Sequence, residues 1–174
     1  LAAERSSYRP NSEAKRLSML MRLAVVLIFF ICALLFESLR QALKIVLLIP
    51  ISCIGILLTF YWFDLRLYQG GYTSFLLVIG LAVKGLILVV NEFNWLRKQH
   101  RDWSETALYA MAVRHKTLPI VLTVISTAAG LTPFLIGGWN EVFWHALAAG
   151  TIGGLFFPVV VIMVISPVFF LRRG

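Results

Sequence analysis

Carboxylates are scarce in this chain. Eight Asp and Glu stand against sixteen Lys and Arg, and charged residues fill only 14% of 174 positions, where an ordinary soluble domain carries about a quarter. With 60% of residues hydrophobic, that shortage excludes a typical water-soluble surface. The net charge of +8 raises nucleic acid as a partner, but the basic residues lie between apolar runs and not along one exposed face. They are read as membrane topology, and no nucleic-acid partner is expected. Cysteine is nearly absent too: Cys32 and Cys53 fall inside apolar runs, lack metal-ligand spacing and read as small hydrophobes. There is no Ser/His/Asp set, no paired catalytic carboxylates, no phosphate-cradling loop and no metal cluster, so an enzyme is not expected. The chain opens on Leu1 instead of Met, and its first nine residues are too polar for a signal-peptide core. It reads as a piece of a longer chain.

What is abundant is long apolar sequence. Five runs, at about 17–36, 45–63, 72–96, 118–137 and 142–171, approach or exceed the roughly 20 helical residues that cross a bilayer. The first holds only Arg22, close enough to one end to snorkel, and the second has no charge. Pro50, Pro133, Pro158 and Pro167 lie within or near these runs, where neighbouring membrane helices can re-satisfy the backbone. The expected fold is therefore an all-α membrane protein with five transmembrane helices.

The connecting segments differ in charge. Joints 37–44 and 97–117, with the tail Arg172 and Arg173, hold most of the basic residues, whereas joints 64–71 and 138–141 hold only Arg66. By the positive-inside rule the first set is cytoplasmic. Residues 1–16 then form the end of a periplasmic segment, and 17–174 the helix bundle. A short amphipathic cytoplasmic helix is expected at about 103–116. Asp102 and Glu105 have capping-box spacing, and Leu108, Met111 and Ala112 share a face that suits the membrane surface.

Among individual residues, Gly150 and Gly154 stand four apart, the spacing that lets membrane helices approach closely, and are read as a packing face. His145, beside Trp139 and Trp144, is weighed as a proton shuttle but reads as interfacial. Lys84 is harder to explain. It lies twelve residues inside its run, about 18 Å along a helix axis, too deep for its stem to reach water. Placing a charge there costs about 2.5 to 3.5 kcal/mol on insertion scales, so it is a functional candidate by default. No acidic residue of this chain lies at the same depth, and a counter-charge is expected from a segment outside it.

Three stretches in order, Phe36-Glu-Ser-Leu-Arg40, Pro50-Ile-Ser-Cys-Ile-Gly55 and Gly80-Leu-Ala-Val-Lys-Gly-Leu-Ile-Leu-Val-Val90, resemble resistance-nodulation-division efflux transporters. So do Arg114-His-Lys-Thr-Leu-Pro-Ile-Val-Leu-Thr123, Gly130-Leu-Thr-Pro133 and the Gly-Gly-Leu-Phe stretch from Gly153. The likeness covers residues 17–174 and corresponds to the last five of the family's twelve membrane helices.

It implies a multi-pass, proton-driven drug exporter of the bacterial inner membrane, with the proton as coupling ion and no other cofactor. It also implies a homotrimer that meets a periplasmic adaptor and an outer-membrane channel and selects substrate in periplasmic domains outside this chain. By resemblance Lys84 is the relay lysine that contacts two aspartates in the N-terminal half of the same protein, Lys116 takes the position of a relay arginine, and Thr123 that of a relay threonine. Three positions depart from the pattern: Gly85 replaces a common asparagine, Lys116 replaces arginine, and Leu118 replaces a basic residue before the proline. Two other classes compete. A retinal-type Schiff-base protein would also use a mid-membrane lysine, but needs a counter-ion and about seven helices. A non-transporting assembly subunit would use Lys84 as a structural ion-pair partner.

Overall fold

The computed structural model describes residues 2–64, 69–100, 102–137 and 142–165, with side chains from residue 15 onward. Arg66, Trp139, Glu141, the end of the fifth expected helix at 166–171 and the tail arginines lie outside the described residues. The elements are α1 (Ala2–Phe36), α2 (Leu39–Trp62), α3 (Gln69–Gln99), α4 (Glu105–Gly137), α5 (Val142–Gly154) and α6 (Phe156–Val160), followed by a π turn, Val161–Ile165. Among the described residues there is no strand. Five helical stretches are long and apolar enough to cross a membrane: Lys15–Phe36, α2, α3, α4 and Val142–Ile165.

The turns follow from local chemistry. Glu37 and Asp64 both adopt a left-handed backbone with φ of 47°, which turns the chain at the end of α1 and just beyond α2. Pro50 lies inside α2, and Pro119 and Pro133 inside α4. None of them ends its helix, although each ring removes one backbone donor. The fifth run is less regular. Pro158 has no N–H to offer, and the Val161 amide is shared between the Phe157 and Pro158 carbonyls. The hydrogen-bond register then slips into the π turn, a form seen mostly as single turns of this kind.

α3 and α4 are longer than a bilayer requires. With 31 and 33 residues they span about 46 and 50 Å, against a hydrocarbon core of about 30 Å. The amphipathic stretch expected at about 103–116 is, from Glu105 on, the first part of α4, continuous through residue 117 into the fourth apolar run. Its apolar face meets protein: Leu108, Tyr109 and Ala112 are buried in one cluster with Phe93 and Leu96 of α3. The Phe93 and Tyr109 rings pack at 5.4 Å. A face covered by α3 has no reason to lie on lipid.

α5 is wedged among α2, α3 and α4. A Cβ on Gly150 would stand 2.5 Å from both Phe60 of α2 and Ser74 of α3, and one on Gly154 would stand 2.5 Å from Ile56 and 3.1 Å from Val78. Only glycine lets these three backbones come so close, which is the packing that small residues serve in membranes. α1 packs on α2 and α3 and leaves its other face open. Leu23, Leu27, Phe30 and Leu34 all stand exposed along it.

Candidate ion-coupling site and its relatives

Lys84 occupies the midpoint of α3, fifteen residues from Gln69 and fifteen from Gln99. Its neighbours Val83, Gly85 and Leu86 are buried, while Lys84 itself is exposed on the outer face of this chain's bundle. It borders two clefts. One, between α1 and α3, has a volume of about 310 Å³ and is walled by Ile28, Cys32, Gly80 and Ile87. The other is about 20 Å³, room for about one water molecule, and is walled by Gly85, Ile120, Thr123, Leu155 and Ile162.

Lys84 and Thr123 both line the second cleft. The Thr123 hydroxyl donates to the Pro119 carbonyl at 2.8 Å, so its proton is committed and its oxygen can still accept. A lysine ammonium, with three donors and no acceptor, is the complementary group. Gly85 lies against the π turn: a Cβ there would stand 2.6 Å from the tip of the Ile162 side chain, which would have to turn aside to admit it.

Lys116 does not join this pair. Its ammonium bonds Glu92 at 3.1 Å, and the other carboxylate oxygen meets His115 Nδ1 at 3.0 Å. Glu92 is eight residues from Lys84 on α3, about 12 Å along the axis. The two helices run antiparallel, and their contacts form a ladder: Gly85 opposite Ile120, Glu92 opposite Lys116, Phe93 opposite Tyr109, Arg97 opposite Glu105. Lys84 has no ion pair or hydrogen bond among the described residues. Among those residues there is also no cluster of His, Cys, Asp or Glu that could hold a metal.

Sequence reasoning assigned no role to Glu92 or His115. The signal was there in part: an acid closing one apolar run faces two basic residues opening the next, if the two helices form a hairpin. His145 lies in the first turn of α5, close to Trp144, whose ring stacks on Phe134 of α4 at 5.0 Å.

Comparison with known proteins bears on this arrangement. A sequence model of the AcrB/AcrD/AcrF family matches residues 4–172. The chain belongs to the AcrB/AcrD/AcrF family. The likeness to resistance-nodulation-division transporters read from motif order is thereby a membership. The toluene efflux pump membrane transporter TtgB of Pseudomonas putida is 30% identical over 165 residues, which are 94% of this chain and 16% of that protein. The multidrug export protein AcrF of Escherichia coli is 28% identical over 167 residues, with the same shares covered. A crystal structure of a heavy metal efflux pump superposes with a TM-score of 0.80 at 23% identity, over 93% of this chain and 16% of that one, and so shares the fold. The chain thus spans about a sixth of the length of these AcrB/AcrD/AcrF relatives.

Proposed function

We propose that this chain is the C-terminal part of the membrane domain of a proton-driven efflux transporter of the bacterial inner membrane, in which Lys84 is the cation of the intramembrane proton relay. One observation carries this reading. An ammonium stands at the middle of a 31-residue helix, borders a cleft with Thr123, and has no carboxylate partner among the described residues. A charge at that depth is tolerated when it is paired or hydrogen-bonded. The pairing acids come, on this reading, from the remainder of the same protein.

The chemistry is then electrostatic. While the acids are ionised they hold the ammonium by charge-assisted hydrogen bonds. A proton taken up by a carboxylate neutralises it, removes the attraction and frees Lys84 to turn toward other acceptors, of which the Thr123 oxygen is one. Release of the proton to the other side restores the pair. Because α5 and α6 interlock with α2 and α3 through glycine contacts, movement of Lys84 is passed to helices as rigid bodies rather than to one side chain. Lys116, held by Glu92, serves in this chain to fasten α4 to α3 at the basic end, outside the immediate reach of Lys84.

Family membership supports the remaining parts of the reading: assembly as a homotrimer, and coupling to a periplasmic adaptor and an outer-membrane channel. The test is export by the full-length protein in cells that lack other pumps. Lys84→Met should insert and assemble yet lose export, and Lys84→Arg should be impaired because a planar fork does not replace a compact ammonium. Export that survives Lys84→Met would return this lysine to structural pairing.

A further inference from the structure

At the basic end the α1–α2 turn and α3 line an open cavity of about 580 Å³, against about 310 Å³ for the larger cleft beside Lys84. Its polar wall is formed by Glu37, Asn91, Arg97 and Lys98, together with a pair of amides. Gln41 and Asn94 bond each other reciprocally at 3.0 and 3.4 Å, which spends one N–H of each and leaves the second. Arg97 is already bonded to Glu105 at 2.7 Å. Glu37 and Lys98 are different: both are exposed, both line this cavity, and neither has an ion-pair partner among the described residues. The left-handed backbone at Glu37 places an acid at this turn, where the surrounding charge is basic.

The remaining wall is apolar. Leu35 and Phe36, the last residues of α1, line the same cavity. The outward face of α1 continues from them as Leu34, Ile31 and Leu27, each at least half exposed. A polar chamber carrying one carboxylate and two cations thus opens onto an apolar strip that runs along a membrane-spanning helix. A ligand that satisfies all of it has a positive and a negative group a few ångströms apart and a hydrocarbon tail.

We propose that this cavity holds the head group of a zwitterionic aminophospholipid, with the phosphoethanolamine in the chamber and an acyl chain along α1. The primary ammonium donates to Glu37. The phosphate accepts from Lys98, Arg97 and the Asn91 amide. A purely anionic phospholipid would pair Lys98 and leave Glu37 unmatched, and a choline head group has no N–H to donate. The inference rests on the chain spanning a bilayer and is independent of the relay assigned to Lys84.

The test uses the full-length protein, reconstituted into bilayers containing equal phosphatidylethanolamine and phosphatidylcholine, re-extracted in mild detergent, and analysed for retained lipid by native mass spectrometry. Phosphatidylethanolamine should be enriched about tenfold over phosphatidylcholine, the factor one hydrogen bond to a charged group supplies. Glu37→Gln should bring the ratio to that of the bulk bilayer while total retained phospholipid is unchanged. Glu37→Asn, better suited to a left-handed backbone, should do the same if folding is in doubt for the first variant. Lys98→Gln should reduce retention of both lipids. Glycerophosphoethanolamine, the head group without chains, should not compete. Equal retention of both lipids, a ratio that ignores Glu37, or displacement by the chain-free head group would each overturn the assignment.

Discussion

Adding one methyl group at Gly150 should destabilise this bundle, and adding one at Gly130 should not. A Cβ at Gly150 would meet Phe60 Cε2 at 2.5 Å, Ser74 Oγ at 2.5 Å and Ser74 Cβ at 3.1 Å, whereas carbon atoms rest at about 3.5 to 4.0 Å. Relief needs a shift of about 1 Å, yet the two obstacles lie on different helices. Moving α5 away from α3 drives it toward α2. Overpacking of this kind costs about 1 to 3 kcal/mol, against which the better helix propensity of alanine returns at most about 1 kcal/mol. Gly150→Ala should therefore lower stability by up to about 2 kcal/mol after the full propensity gain, and Gly150→Leu by more. Gly130 has nothing within 4 Å of its would-be Cβ, so Gly130→Ala keeps the propensity gain alone and should be neutral or slightly stabilising. The assay is thermal unfolding of the full-length protein in one detergent, both variants side by side. If Gly150→Ala melts with or above Gly130→Ala, the close approach of α5 to α2 and α3 is refuted.

Other outcomes follow from the α3–α4 ladder and the topology. Glu92 is 15% exposed and holds two partners, so Glu92→Ala should lower stability by about 1 to 3 kcal/mol in the same melt. Arg97→Ala should cost no more than about 1 kcal/mol, since that pair is 60% and 34% exposed and surface bridges contribute little. Tyr109→Ala should cost about 3 to 5 kcal/mol, as its side chain is buried against Phe93 and large aromatics leave large cavities. In a protein freed of Cys32 and Cys53, cysteines at Gln99 and Tyr61 should label from opposite sides of the membrane, Gln99 from the cytoplasm. Tyr61 is chosen because it is 87% exposed, while a side chain at Gly70 would strike the Phe143 carbonyl. Labelling of both from one side would overturn the topology.

The membrane architecture was legible because its signals are one-dimensional. Run length, charge scarcity and basic joints all act residue by residue, and five apolar helices appear where five runs stand. Gly150 and Gly154 were legible for the same reason, through a spacing within one helix. The continuity of residues 103–116 with the next run was not. An amphipathic face looks the same whether lipid or protein covers it, and here Phe93 and Leu96, distant in sequence, cover it. Lys84 stood out by depth alone, Thr123 was named only through the resemblance, and that both line one cleft depends on how α3 and α4 pack. The partner of Lys116 was hidden because a pairing across 24 positions depends on the register of the α3–α4 hairpin. The amide pair of Gln41 and Asn94, 53 positions apart, was beyond pattern reading for the same reason. The break of the fifth run into α5, α6 and a π turn had a visible cause in Pro158, but proline alone does not say which way a helix register will slip.

The claim at the centre of this account is that Lys84 couples proton movement to export. The most direct measurement is proton influx accompanying substrate export in proteoliposomes, with the full-length protein, an imposed pH gradient and a pH indicator inside or outside the vesicle. Lys84→Met removes the ammonium and retains much of the side-chain bulk, so the account expects correctly folded protein with neither export nor substrate-dependent proton flux. Thr123→Val should lower both together, because it removes an oxygen acceptor beside the lysine without touching its charge. Near-normal, gradient-driven export and proton influx by Lys84→Met would contradict the account.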